Sequence, residues 1–157
     1  MAKVSLVEFK LIGHKNDFNH KLILAITLNI HIETNYSGIQ ESWLMDKIEE
    51  IRKTRKAANS KLLSLKSKVY ERFLQMEEAA YSDGALTKKQ KELIAIGISV
   101  VIDCESCMEW HITQAAAAGA SKREVLEAVE VGIEFGGGPA TVSARFALEV
   151  MEHAFKE

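Results

Sequence analysis

Glu92-Leu-Ile-Ala-Ile-Gly-Ile-Ser-Val-Val-Ile102-Asp103-Cys104-Glu-Ser-Cys107-Met-Glu-Trp-His111 is the stretch on which the rest of the sequence turns. Its first half is almost wholly apolar. That predicts a buried central helix from Lys88, capped by Thr87, to about Ile102. Asp103 is a good N-cap for a second helix, expected to run to Ala118 and stop at Gly119 in the left-handed conformation. In that helix Cys104, Cys107 and His111 fall at i, i+3 and i+7, which is one stripe of its surface.

The two cysteines occupy the helix's first turn, where unpaired backbone N–H groups and the helix dipole favour an anion. A thiolate is such an anion. Cysteines in C-x-x-C motifs at helix starts have pKa values lowered from ~8.5 into the range of about 3.5–7.5. The spacing also lets the two sulfurs close a disulfide. His111, one turn beyond Cys107, can take the thiol proton or hold the thiolate as an ion pair. If the two helices form an antiparallel hairpin, counting back from the turn near Asp103 brings Glu92 level with positions 111–115. A carboxylate there can orient His111. In so apolar a stretch Glu92 needs some partner, because a lone buried carboxylate is costly.

Outward from this centre the pattern stays helical. Asp46–Ala58 is charged and rich in helix formers. Lys61–Tyr81 carries Leu62, Leu65, Val69, Phe73 and Met76 at helical recurrence, and Ser82-Asp83-Gly84 marks a turn. Ser121 to Glu124 reads as a capping box opening a helix to about Phe135. Gly136-Gly137-Gly138 breaks the chain, and Pro139 suits the first turn of a last helix reaching Lys156. Residues 45–157 therefore predict about six helices with short connections. The Ala115–Ala118 run reads as a place where helices approach closely.

Residues 1–44 read differently. Four of the five asparagines and three of the five histidines precede position 45, while only Ala2 and Ala25 among the alanines do. Lys21–Ile32 is rich in isoleucine and leucine and β-prone, as one or two short strands or a poorly ordered arm. Met45 is a candidate natural start, which would make 1–44 an atypical extension that is not native. N-terminal mass spectrometry of the native protein tests this by finding or missing peptides from 1–44.

The 157 residues are 47% hydrophobic and 27% charged with a single proline. That is the composition of an ordinary globular domain, and it excludes a disordered chain, a collagen-like fibre and a disulfide-rich secreted scaffold. A net charge of −2 gives no basic surface to attract nucleic acid or an anionic membrane. No apolar run approaches the ~20 residues needed to span a bilayer, and no clean export signal is expected. A cytoplasmic location follows as the expectation. There a C-x-x-C with no other cysteine points to redox chemistry or metal rather than to a structural staple.

Plainer readings stand beside this one. Cys104 and Cys107 can be small buried hydrophobes, or with His111 they can supply three zinc ligands where structural zinc wants four. The glycine run before Pro139 can hold an anion at a helix start, or simply end one helix and turn the chain. Lys47, Arg52, Lys53, Arg55 and Lys56 alternate with Glu49 and Glu50 and read as one solvated face. Met108, Trp110 and Phe135 read as core or as pocket wall near the cysteines.

The residues also resemble a known family. Glu92, eleven residues, Cys104-Glu-Ser-Cys107, three residues and His111, followed by an alanine-rich helix, Gly119-Ala-Ser121 and a capping box, are similar to the carboxymuconolactone decarboxylase family, in its alkylhydroperoxidase D-like branch. The resemblance covers about Asp46–Phe155 and not residues 1–44. It implies an all-α fold, a compact orthogonal helical bundle, and a homo-oligomer, commonly a trimer or hexamer. It further implies a thiol peroxidase in which Cys107 attacks the peroxide and becomes a sulfenic acid. Cys104 then donates a proton and condenses to the disulfide, while Glu92 and His111 form the proton relay.

One departure stands out: alkylhydroperoxidase D carries a second relay histidine just before the nucleophilic cysteine, where this chain has Ser106. A serine hydroxyl passes a proton but is a poor base. The family name also covers a decarboxylase acting on a lactone acid, whose members generally lack the C-x-x-C. No flavin or nicotinamide fingerprint is present, so no cofactor and no metal is expected. Reduction falls to an external dithiol of lipoyl or thioredoxin type. The competing expectations are a lactone-acid enzyme, whose turnover survives cysteine alkylation; a non-enzymatic thiol–disulfide sensor; and a zinc-binding structural protein.

Overall fold

The computed structural model describes residues 47–156, within a unit spanning Trp43–Glu157. The expected β-prone stretch Lys21–Ile32, the atypical arm and the boundary at residue 45 lie outside the described residues. These fold into five helices with no strand: α1 (47–64), α2 (Lys68–Tyr81), α3 (Lys88–Val101), α4 (Glu105–Ala117) and α5 (Lys122–Ala154). Gly137, at φ 63° and ψ −147°, interrupts the helical backbone of α5, and Pro139 follows it, so the expected break before the last helix is present as a kink.

Local side chains set most helix ends. Thr87 and Ser121 each cap through a reciprocal box, with Gln90 and Glu124 as partners. Gly119 takes φ 82° after α4. Two ends differ from expectation. The single helix predicted over Lys61–Tyr81 is two, because Lys66 takes φ 53°. There the Ser67 N–H reaches back to the Leu62 carbonyl at 3.2 Å and the Lys66 N–H to that of Leu63 at 2.9 Å. That pattern closes a helix around a left-handed residue, usually glycine. Ser67 then caps α2 by accepting from the Tyr70 N–H.

The other correction is the start of α4. Asp103 takes φ 54°, which reverses the chain between α3 and α4 but is incompatible with the extended backbone of an N-cap. Cys104 is the N-cap instead.

The core lies among α3, α4 and α5, with Ile96, Val100, Met108, Ile112, Val129 and Val150 fully buried and Ile48 of α1 joining them. Of the alanine run only Ala115 is fully buried. Helices α3 and α5 approach closely, so that a Cβ on Gly132 would stand 2.8 Å from the Gly97 carbonyl oxygen. Nor is α3 buried all round. Ile94, Ile98 and Ile102 are more than half exposed, and with Val131 and the 81% exposed Phe135 of α5 they give an outward apolar strip. Helix α2 buries no residue completely and packs lightly on α3. Among the described residues no helix is long and apolar enough to cross a membrane.

Candidate active site

The turn from α3 to α4 places the cysteines. The Cys104 N–H donates to the Ser99 carbonyl at 3.1 Å, which ties the start of α4 to the end of α3. Cys104 and Cys107 are joined by a disulfide, with Cα atoms 5.2 Å apart. As N-cap, Cys104 accepts the Cys107 N–H on its sulfur at 3.3 Å. Thus the Cys107 N–H is directed at the sulfur of Cys104.

One turn on, His111 meets Glu92. The His111 Nδ1–H donates to Glu92 Oε2 at 2.8 Å, as the antiparallel count predicts. Glu92 is 2% exposed. With Nδ1 committed to the carboxylate, a neutral imidazole leaves the lone pair of Nε2 to accept a proton. The Tyr81 ring stacks on His111, with ring centres 5.3 Å apart. Burial, and then the carboxylates of Glu92 and Glu77, push the Tyr81 phenol above its ordinary pKa. It therefore remains a neutral lid over the imidazole near neutral pH.

Cys107 and His111 open together onto a cavity of about 300 Å³ walled by α1, α2 and α4. Tyr70, Phe73, Leu74 and Trp110 give it apolar walls, and Arg55, Asn59 and Glu77 add polar groups. Trp110 is thus pocket wall, as one of its two readings had it, while Met108 is core. Phe135, expected near the cysteines, lines a separate open trough between α3 and α5 that shares no residue with this cavity.

The face of α1 read as solvated is only partly so. Lys53 and Lys56 are exposed, but Arg52 and Arg55 turn inward to Glu109, which is fully buried. Arg52 donates from Nε and Nη2 to Glu109 Oε1 at 2.9 and 2.8 Å, and Arg55 donates from Nη2 to Oε2. Burial alone would raise the Glu109 carboxyl. The hydrogen bonds and charges of Arg55 and Arg52 outweigh it and hold the group below its ordinary pKa. Arg55 also donates to the Ser106 carbonyl at 3.0 Å, and its guanidinium lies 5.0 Å over the Trp110 ring.

Sequence reasoning therefore brought Glu92, Cys104, Cys107 and His111 together but missed Arg55, Glu109 and Tyr81. The i, i+4 placement of Glu105 and Glu109 beside the motif offered no hint of a partner. Among the described residues no three histidine, cysteine or acidic side chains converge as a metal site.

Several proteins resemble this chain in sequence or fold. A protein of the cox locus of Paracoccus denitrificans is 36% identical over 80 residues, covering 51% of this chain and 72% of its own. A solved carboxymuconolactone decarboxylase family protein of Legionella pneumophila superposes with a TM-score of 0.68 at 33% identity, over 71% of this chain and 99% of its own. Another from Thermotoga maritima, described with a possible involvement in antioxidative response, gives 0.61 at 29% identity over 66% of this chain and 88% of its own. Residues 67–150 match the sequence pattern of the Carboxymuconolactone decarboxylase family itself. With the helical fold and these relatives, that match means that the chain belongs to the carboxymuconolactone decarboxylase family.

Proposed function

We propose that the protein is a thiol peroxidase that reduces hydroperoxides through Cys107 and Cys104, with Glu92 and His111 as the proton relay. The observation that carries this reading is the meeting of Cys107 with the Glu92-anchored His111 on the wall of one cavity. The cavity reaches Cys107 and is not lined by Cys104. This supports Cys107 as the attacking sulfur and Cys104 as the resolving one.

The Cys107 thiolate attacks the nearer peroxide oxygen, the O–O bond breaks, and the leaving alkoxide takes a proton. The sulfur becomes a sulfenic acid and the substrate an alcohol. His111, which holds its proton-accepting Nε2 free, takes the thiol proton and returns it to the leaving oxygen. The Cys104 thiol then condenses with the sulfenic acid, releasing water and forming the disulfide. An external dithiol restores both thiols by exchange and is itself oxidised.

The test is hydroperoxide consumption with a dithiol reductant, comparing the wild type with Cys107→Ser and Cys104→Ser. Turnover that needs both cysteines is expected. Turnover that survives alkylation of both would point instead to lactone-acid chemistry. A reversible disulfide without turnover would point to a sensor.

The same reading includes self-association as a trimer or hexamer. It is supported by the outward strip of Ile94, Ile98, Val131 and Phe135, each more than half exposed, which lines one apolar trough between α3 and α5. Phe135→Glu is expected to lower the mass found by light scattering. An unchanged mass would remove this face from the interface.

A further inference from the structure

Resting on the reading that Cys107 is the attacking sulfur, we propose that Arg55 is a positioning residue. Its guanidinium is held against the C-x-x-C turn and stabilises Cys107 as a thiolate. The Cys107 N–H does not do this, because it is given to Cys104. A positive group beside the motif adds to what the remaining N–H groups of the helix start supply.

Arg55 reaches the motif from α1 and is fixed by the residues on either side of Cys107. Nη1 donates to the Ser106 carbonyl at 3.0 Å and approaches its hydroxyl at 3.4 Å. Nη2 donates to Glu109, and the plane of the group covers Trp110. The side chain is only 18% exposed and lines the same cavity as Cys107. So little solvent leaves its charge poorly screened.

The surrounding charges leave that field positive. From α4, Glu109 is one carboxylate facing the two guanidiniums of Arg52 and Arg55, so these three groups carry one net positive charge, which Glu49, paired with Arg52 at 2.6 Å, offsets on the side away from Arg55. Glu49 meets Arg52 only from its exposed side. Glu105 is paired with Lys47 at 2.6 Å, and Glu92 of α3 is engaged by His111. From α2, Tyr81 stays neutral, and Glu77 is the one acidic group on the cavity wall that opposes Arg55. Ser106 itself stands where alkylhydroperoxidase D carries its second relay histidine. Here its backbone and hydroxyl are the anchor for the arginine.

The experiment follows the rate of Cys107 alkylation against pH, by peptide mass spectrometry on the reduced full-length chain. Arg55→Met is expected to raise the Cys107 midpoint by about one unit, a ~tenfold loss of thiolate at a given pH. Arg55→Lys, which keeps the charge, should recover most of it. Glu109→Gln, which removes the negative partner, should lower the midpoint. A merely structural cluster would shift Arg55→Met and Glu109→Gln in the same direction, since both break the same ion pair. That result, or an unmoved midpoint in folded Arg55→Met, would overturn the proposal. If Arg55→Met does not fold, the downward shift in Glu109→Gln decides alone, and its absence sinks the idea.

Wild-type peroxide turnover is read separately. Turnover with unshifted midpoints would remove Arg55 and leave the peroxidase. Shifted midpoints without turnover would do the reverse.

Discussion

Two buried glutamates flank the cysteine motif, and they are held in different ways. Glu92, on α3, has the single neutral-or-charged partner His111 at 2.8 Å. Glu109, on α4, is gripped by two permanently charged guanidiniums and accepts a further bond from the Thr113 hydroxyl at 3.3 Å. A carboxylate between two arginines cannot exchange its proton usefully near neutral pH. One opposite a histidine can steer a proton in and out. The first arrangement fastens α1 to α4, and the second holds His111 at the cavity wall through Nδ1. Removing each carboxylate should therefore damage different things.

Glu109→Ala tests the fastening and carries the largest expected effect. It leaves two partly buried guanidiniums without their anion, so unfolding free energy should fall by about 3–5 kcal/mol. Chemical denaturation measures it. A loss below ~1 kcal/mol would show that solvent already compensates the arginines. The pH dependence has a definite sign. The folded pKa of Glu109 lies below its ordinary 4.5, so its contribution is complete above that value and is lost as pH falls through the folded pKa.

Glu92→Gln tests the other arrangement. It keeps the shape and a hydrogen-bond partner for His111 but removes the carboxylate charge. Peroxide turnover should fall by about 10²-fold, within the range for general acid–base catalysis, while denaturation changes little. Turnover close to the wild type would remove Glu92 from the relay. A large loss of stability would make it a structural residue like Glu109.

The two glutamates were unequally legible in the sequence. Glu92 and His111 lie on helices joined by a short turn, so their register follows from counting. The partners of Glu109 lie more than fifty residues upstream, and Arg52 and Arg55 alternate with Glu49 and Glu50 as a solvated helix would. Nothing in that spacing says which side docks on α4. The same distinction runs through the fold. The caps at Thr87 and Ser121 and the stop at Gly119 are local and were readable. The break at Lys66 was not, because a lysine occupies the left-handed position that a glycine would have announced. The apolar run of α3 gave the helix but not its covered side, since an unbroken run has no polar face to mark solvent.

Between those extremes lies the α3–α5 crossing, whose signal was present in two glycines. A glycine inside a helix costs about 1 kcal/mol relative to alanine and usually has a packing reason. Gly97 and Gly132 have that reason. Gly132→Ala puts a methyl 2.8 Å from the Gly97 carbonyl oxygen and 3.0 Å from Val100 Cβ, so the helices must separate. A destabilisation of about 1–3 kcal/mol is expected by thermal or denaturant unfolding. A neutral outcome would mean that the crossing is loose.

A third carboxylate sharpens the contrast, with the smallest effect. Glu124 has its pKa lowered to about 2, first by the hydrogen bond from Lys89 and then by its capping bonds to Ser121. Yet it is open to water, where an ion pair competes with solvation and salt. Its lowered pKa places its contribution above pH 4.5 and removes it as pH falls toward 2. Glu124→Gln keeps the side-chain oxygen for the cap and loses only the charge. Its melting temperature should drop less than that of any variant above, and the drop should vanish in high salt. A salt-resistant loss comparable to that of Glu109→Ala would mean that burial is not what separates a fastening carboxylate from a superficial one.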